Sequence, residues 1–418
     1  MSTKRSDLWK ALGPGLLYAG AAVGVSHLVQ STRAGAQFGY ALIYALVLAN
    51  LVKYPFFLMG PQYTAATGES LLAGYKKLGN WAVWSFLVLT ILTMFFVIAA
   101  IAVVTAGLAG HLLPWSFDPV VWSIGLTVFC ALILLVGKYS LLDRMIKWVI
   151  LILSVTTLVA FFSSFGWSAE KVGTPLSFSF KDQAHLLFLF AFIGWMPAPM
   201  DISIWHSVWA ETRNKLTGHQ ASPRQARFDF NVGFIGTALL AICFLVLGAR
   251  MFYGTGNELE VKSLAFAGQL IDMYTTLLGP VFFWVIALAA FTTMFSTTLT
   301  CLDAFPRVLS EASGLLTSRK EEGNKKTYPL FMLVLVAGTI LFILFLLGNM
   351  GQMVDLATTL SFLTTPFLAL LNFLAIRQAE KAGHLRMNPL LKGLSYVGFL
   401  VLIGMAIWYP FIRFGMAG

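Results

Sequence analysis

Asp201 and His206 stand in a stretch, LFLFAFIGWMPAPMDISIWHSVWAETR from Leu187 to Arg213, that is long and apolar enough to cross a bilayer. An acid and an imidazole at that depth are costly and are read first as functional groups. The same stretch holds Gly194, Pro197 and Pro199. Each proline removes a backbone donor and crowds the preceding turn, so the carbonyls it frees need other partners: neighbouring helices, water or a ligand. The competing reading is a proline-kinked span whose Asp201 caps the second half-helix. A second polar cluster, Ser26, His27, Gln30, Ser31 and Thr32, replaces the apolar middle of the first hydrophobic run, beside Gly13, Pro14, Gly15, Gly20 and Gly24. Between them the two stretches offer one carboxylate (Asp201), two imidazoles (His27, His206), a thioether (Met200 or Met196), the hydroxyls of Ser26 and Ser203, and the carbonyls freed by Pro197 and Pro199. With water added, Asp201, His27 and Met200 form a candidate ligand set for Mn²⁺ or Fe²⁺, lower in charge than is usual for such ions. Half-helix amino-termini suit the opposite ligand, a small anion. His27 would then donate to the anion, Arg33 would attract it from further out, and Asp201 would hold a co-transported cation or carry a proton.

Hydrophobic spans must position these residues. Over 418 residues the chain is 58% hydrophobic, with a mean hydropathy of +0.80; this excludes a soluble fold with a polar skin and implies an all-α integral membrane protein. Apolar runs fall at 11–31, 37–60, 82–110, 117–137, 145–166, 184–210, 229–252, 273–305, 328–347, 354–376 and 391–413, each near the roughly 20 residues that a helix needs to span the hydrocarbon. Alternating the loops from a cytoplasmic N-terminus puts most basic residues inside, from Lys4, Arg5 and Lys10 through Lys76, Lys77, Lys138, Arg213, Arg319 and Lys320 to Lys392. Only Lys171, Lys181, Arg250, Lys262 and Arg413 fall outside. That bias supports the span count, an outside C-terminus and a bacterial inner membrane, and it accounts for the net charge of +10 without nucleic acid. Cys130, Cys243 and Cys301 show no pairing or metal-ligand spacing. The first run continues from Ala11 without a small-residue cleavage site, so no cleavable signal is expected. No nucleotide loop, nucleophile elbow or clustered carboxylate pair suggests an enzyme, and no cofactor is expected.

The two interrupted spans, first and sixth, open two successive sets of five, the arrangement in which inverted-repeat transporters place a substrate between discontinuous helices. Glycines alone would also serve close helix packing. One transmembrane domain is expected over 1–418, with a first repeat at 11–166, a second at 184–376 and an extra helix at 391–413. In sequence, LGP at Leu12 to Pro14 and AGAQFGY at Ala34 to Tyr40 resemble, without a gap between them, the opening helix of the Nramp divalent-metal transporters. HSVWAETR at His206 to Arg213 is similar to the end of that family's sixth helix, STTLTCLDAF at Ser296 to Phe305 to its eighth, and LSFLTTPFLALL at Leu360 to Leu371 to its tenth. The resemblance implies a leucine-transporter-type fold of two inverted repeats plus an eleventh helix.

It also shows departures. Gly24, Val25, Ser26 and His27 stand where the family has its Asp-Pro-Gly-Asn metal motif. The family's Met-Pro-His falls on Pro199, Met200 and Asp201; alternatively Met196 and Pro197 match its Met-Pro, with three extra residues before His206. The third span carries no acid, whereas the family has its proton-route carboxylates there. The expectation is a secondary-active carrier that moves a small ion by alternating access: a divalent metal cation through a non-standard site or, alternatively, a small anion such as bicarbonate or a neutral solute. A non-transporting sensor or scaffold is the third class. The substrate site is expected at Gly24, Ser26, His27, Pro199, Met200, Asp201 and Ser203, with His206, Arg33, Thr297 and Thr358 along the pathway and metal, proton or sodium as the coupling ion. His27 has a structural alternative, a packed histidine bonded to a backbone carbonyl. His206 has an interfacial alternative, Asp303 and Arg307 are expected to pair locally, and Lys53, near the inner end of the second span, is expected to snorkel to the interface. The partners are the ion or solute and the bilayer, with the protein a monomer.

Overall fold

The computed structural model describes residues 13–113, 118–136, 139–167, 176–317, 321–346 and 350–415, with the backbone alone at 139–150, 321–325 and 346. Leu12, Lys4, Arg5, Lys10, Lys138, Lys171, Arg319 and Lys320 lie outside the described residues. Every regular element among those described is helical. The first span is in pieces: α1 (Pro14–Ala22), a π-helical turn (Ser26–Ser31) and α2 (Thr32–Phe38), so it runs past the expected end at 31. Then come α3 (Ile43–Thr67), the short α4 (Leu71–Leu78), α5 (Asn80–Leu112), α6 (Pro119–Val136) and α7 (Tyr139–Ser164). The sixth span is cut between α8 (Gln183–Gly194) and α9 (Asp201–Thr217). A capping box of Ser222 and Gln225 starts α10 (Pro223–Met251). The run expected at 273–305 resolves into α11 (Ser263–Leu278) and α12 (Phe283–Thr317), parted at Gly279, whose φ of +99° suits glycine. Last are α13 (Glu321–Leu346), α14 (Met350–Lys381) and α15 (Pro389–Arg413). The sequence pattern revealed neither α4 nor α11 as a separate element.

Among the described residues eight helices are individually long and apolar enough to cross a membrane, and no single described piece of the two broken spans is. Burial sorts the eight. In α3, α5, α10, α12 and α14, 61–72% of the most apolar stretch is buried, against 17–22% in α6, α13 and α15. The first group forms the core, with α12 lying along α5, α13 and α7, and the second turns its apolar side chains outward, where lipid would cover them. Among the helices that occupy the fourth and ninth expected spans, α6 and α13 are both peripheral, as matching members of two repeats would be. The three cysteines are free and buried in this core, in keeping with their lack of spacing.

The broken first span is packed backbone to backbone. A Cβ on Gly15 would lie 2.1 Å from the Asp229 carbonyl oxygen, and one on Gly233 would lie 2.2 Å from the Gly15 carbonyl oxygen, so α1 and α10 touch without intervening side chains. On the same helix a Cβ on Gly236 meets nothing within 4 Å. Gly233→Val is therefore expected to lower the thermal midpoint in detergent, at an overpacking cost of about 1–3 kcal/mol. Gly236→Val should leave it unchanged, and equal midpoints for the two variants would refute the close crossing.

Candidate functional site

At the first break the Gly24 amide turns to the Ala22 carbonyl (3.0 Å) rather than to Gly20. The Gly20 and Val23 carbonyls instead face the Thr297 hydroxyl of α12, at 3.0 and 3.2 Å, which shares its one hydrogen among them and its own Thr293 carbonyl at 3.0 Å. Glycine is needed beside that contact, since a Cβ on Gly24 would sit 2.8 Å from Thr297 Cγ2. The Ser26 hydroxyl lies 2.6 Å from the Ala22 carbonyl and 2.7 Å from His27 Nδ1, and His27 Nε2 lies 2.9 Å from the Thr237 carbonyl of α10. A carbonyl only accepts, so Nε2 carries the hydrogen. Both ring nitrogens are thus engaged within the protein, the packed-histidine geometry. The break touches the sixth span where Ser31 Oγ approaches Met196 Sδ at 3.8 Å.

At the second break Pro197 has no amide to offer the Ile193 carbonyl, which keeps a 3.2 Å bond from the Met196 amide and has room for another donor. Lys53, at mid-length of α3, supplies one: its ammonium donates to Ile193 O at 2.7 Å and to Gly194 O at 2.9 Å. Lys53 is 0% exposed and does not snorkel, because its stem points across the bundle into this break. Gly194 rides on α14, where a Cβ would fall 2.1 Å from the Thr358 carbonyl oxygen. The Thr358 hydroxyl donates to Val354 O and faces Gln30 Nε2 at 3.4 Å. Pro199 and Met200 lie in the gap before α9, with Met200 buried at its N-cap position. Asp201 is the first residue of α9; it is buried, and its Oδ1 has no hydrogen-bond partner. Tyr75 and Cys301 lie within range of its charge. Beside it Ser203 donates to Met200 O and accepts from Asn372 Nδ2 at 2.7 Å, and Asn372 in turn accepts from the Tyr75 hydroxyl.

The two ends of the bundle differ. At one, Arg33 grips Asp355 with both terminal nitrogens (2.7 and 3.2 Å), Gln30 joins at 3.1 Å, and the guanidinium lies over the Phe188 ring, which ties α2 to α14 and α8. At the other, Asp229 of α10 accepts from the Gly13 and Gly15 amides at 2.8 and 2.6 Å. A cavity of about 240 Å³ opens there, lined by Pro14, His206, Arg213, His219 and Asp229. His206 Nε2 lies 3.9 Å from Asp229 Oδ2, and Tyr18, Phe57, Phe230 and Phe234 pack ring against ring beside it.

The structure thus brings Gly24 and Thr297 together, and Met200 with Asp201 and Ser203. It directs His27 to α10 and sets His206 and Arg33 at opposite ends. No group of three or more His, Cys, Asp or Glu side chains forms a metal-ligand cluster among the described residues. Asp303 and Arg307 pair locally as expected, with the Tyr328 hydroxyl on the same carboxylate. Sequence reasoning missed the parts played by Lys53, Asp229, Asp355 and Asn372. Only Lys53, a lone cation in an apolar run, carried a local signal.

A family profile described as natural resistance-associated macrophage protein-like, Nramp, matches residues 15–411. The chain is 35% identical to the uncharacterized protein PM0681 of Pasteurella multocida over 403 residues, 96% of this chain and 91% of that one. It is 25% identical to the divalent metal cation transporter MntH of Latilactobacillus sakei over 291 residues, 66% of this chain and 60% of that one. Among solved structures, the Eremococcus coleocola manganese transporter in complex with an aromatic bis-isothiourea substituted compound superposes with a TM-score of 0.60 at 16% identity, covering 99% of this chain and 97% of that one. MhsT in complex with L-phenylalanine superposes with 0.65 at 15%, covering 94% and 97%. The fold is the leucine-transporter type, with inverted repeats and discontinuous first and sixth helices, and the chain belongs to the Nramp family.

Proposed function

We propose that this protein is a secondary-active carrier that moves a divalent metal cation by alternating access, with Asp201 as the charged ligand. The Asp201 carboxylate carries the reading: it is 3% exposed, at a helix break, with Oδ1 unpartnered. A buried carboxylate in that state costs on the order of several kcal/mol, which an arriving cation removes. Met200 and Ser203 are its neighbours in the chain and offer a thioether and a hydroxyl, and His27 joins only once released from Ser26 and Thr237. Family membership and the metal-transport name of the MntH relative support a cation. The site is non-standard, because Gly24 to His27 supply no acid, and one carboxylate makes for weak, water-assisted binding. An end closed by Arg33 and Asp355 opposite an end with a cavity suits a carrier resting with one gate shut. The acid-free α5 argues against proton coupling by the family's route. Eleven spans, a cytoplasmic N-terminus, an outside C-terminus and a bacterial inner membrane complete the reading, with no enzymatic activity. One observation favours a second reading, a small anion such as bicarbonate: the Lys53 ammonium sits inside the break, where it repels a cation and attracts an anion.

Asp201→Asn keeps the size and removes the charge; it should abolish both Mn²⁺ uptake into proteoliposomes and the heat of Mn²⁺ binding. Bicarbonate heat that survives in Asp201→Asn and vanishes in His27→Gln would move the assignment to the anion. Asp355→Asn should weaken the shut end by about 1 kcal/mol, a factor of about five in the closed-to-open ratio. Faster maleimide labelling of Phe188→Cys in that background would report it, and an unchanged rate would remove the gate. Alkaline phosphatase fused after Gly418 should be active and that fused after Lys215 inactive; the reverse result would invert the orientation.

A further inference from the structure

A cation seat at the second break is already filled, by the protein itself. The Ile193 carbonyl, which Pro197 cannot serve and which keeps one bond from the Met196 amide at 3.2 Å, and its neighbour Gly194 O lie at the carboxyl end of α8, where the helix dipole concentrates partial negative charge. Two carbonyl oxygens at a half-helix C-terminus are the donor type that a monovalent cation takes in a membrane protein with broken helices. Here the Lys53 ammonium occupies the position at 2.7 and 2.9 Å. Three features mark this as more than a convenient hydrogen bond. Lys53 is fully buried at the middle of a spanning helix, where an ammonium is costly unless compensated. Among the described residues its compensation comes from carbonyls and not from a carboxylate. And α14 packs directly on the Gly194 backbone, where a Cβ would lie 2.1 Å from the Thr358 carbonyl oxygen, which fixes that stretch of chain beside Lys53.

We propose that Lys53 is a tethered monovalent cation. It fills a seat that would otherwise take a free sodium or small alkylammonium ion, so the native protein needs no such ion to hold its sixth span open. Lys53 acts through α8 as a positioning residue and does not touch the Asp201 ligand; the inference therefore stands apart from the choice of substrate and is tested on stability.

Purified protein in detergent is to be unfolded thermally in choline chloride, with choline replaced at constant ionic strength by sodium or by n-propylammonium. The wild type should be indifferent to the replacement. Lys53→Ala should unfold at a lower temperature and recover by a saturable rise, about 1.5 °C at a cation concentration of about tenfold Kd, with sodium or n-propylammonium. The same rise in wild type, or its absence from Lys53→Ala, overturns the proposal. If Lys53→Ala does not fold, Lys53→Arg and Lys53→Gln decide, because both keep N–H donors for the two carbonyls and only arginine keeps the charge. The proposal expects Lys53→Arg to lie nearer the wild-type midpoint than Lys53→Gln. Equal midpoints would show that a donor alone suffices and that no cation seat exists.

Discussion

Backbone carbonyls stripped of their helical partners are the constraint from which the rest of this structure follows. In hydrocarbon there is no water to receive them, so a break in a spanning helix persists only when some other part of the protein supplies donors. The first break receives the hydroxyl of Thr297 from α12, and the second receives the ammonium of Lys53 from α3. Both donors come from core helices distant in sequence, and each capped break also passes close to a neighbour. That is why Gly24 and Gly194 carry no side chain: a Cβ would reach Thr297 at one and the Thr358 carbonyl at the other. The amino end of α1 poses the mirror-image problem, with orphan amides in place of carbonyls, and the Asp229 carboxylate answers it.

This arrangement sorts the charges. Lys53 lies against the negative end of α8 and Asp229 against the positive end of α1, while Arg33 pairs with Asp355 and Arg307 with Asp303. Asp201 differs. It sits at the amino end of α9, where the dipole favours a negative charge, yet its Oδ1 has no hydrogen-bond partner. The dipole explains why an acid is tolerated there and leaves its coordination incomplete, a combination suited to a ligand that comes and goes.

The all-helical, apolar character of the chain and both breaks were legible in the sequence because they are written in local composition: runs of apolar residues set the helices, and prolines and glycines interrupt them. The pairing of Asp303 with Arg307 was legible for the same reason, since four residues is one helical turn. What could not be read was which distant side chain satisfies each break. Nothing near Thr297 in sequence points to Gly20, and nothing near Lys53 points to Ile193. The apolar run at 37–60 places Lys53 near its inner end, and only the longer α3 and its packing against the sixth span put the residue at mid-length with its stem turned inward. Asp229 looked like the first residue of a span, and its role depends on a glycine contact between α1 and α10 that no local pattern encodes. The short α4 was hidden because its eight residues cannot cross a membrane and fall between two spans that can.

The same constraint explains how the family's fold persists where its metal motif does not. Capping the first break requires a small residue at Gly24 and two free carbonyls, and a carbonyl is common to every residue type. The side chains that follow can therefore change without disturbing the break. In this chain the last of them, His27, spends its two ring nitrogens tying the π-helical turn to Ser26 and to the Thr237 carbonyl of α10. A position that the family resemblance makes a metal ligand is here a tether between helices. The fold and the ligand chemistry are thus carried by different atoms of the same segment, backbone for one and side chain for the other. On the function proposed above, the identity of the substrate rests on the few side chains at the second break, with Asp201 foremost among them.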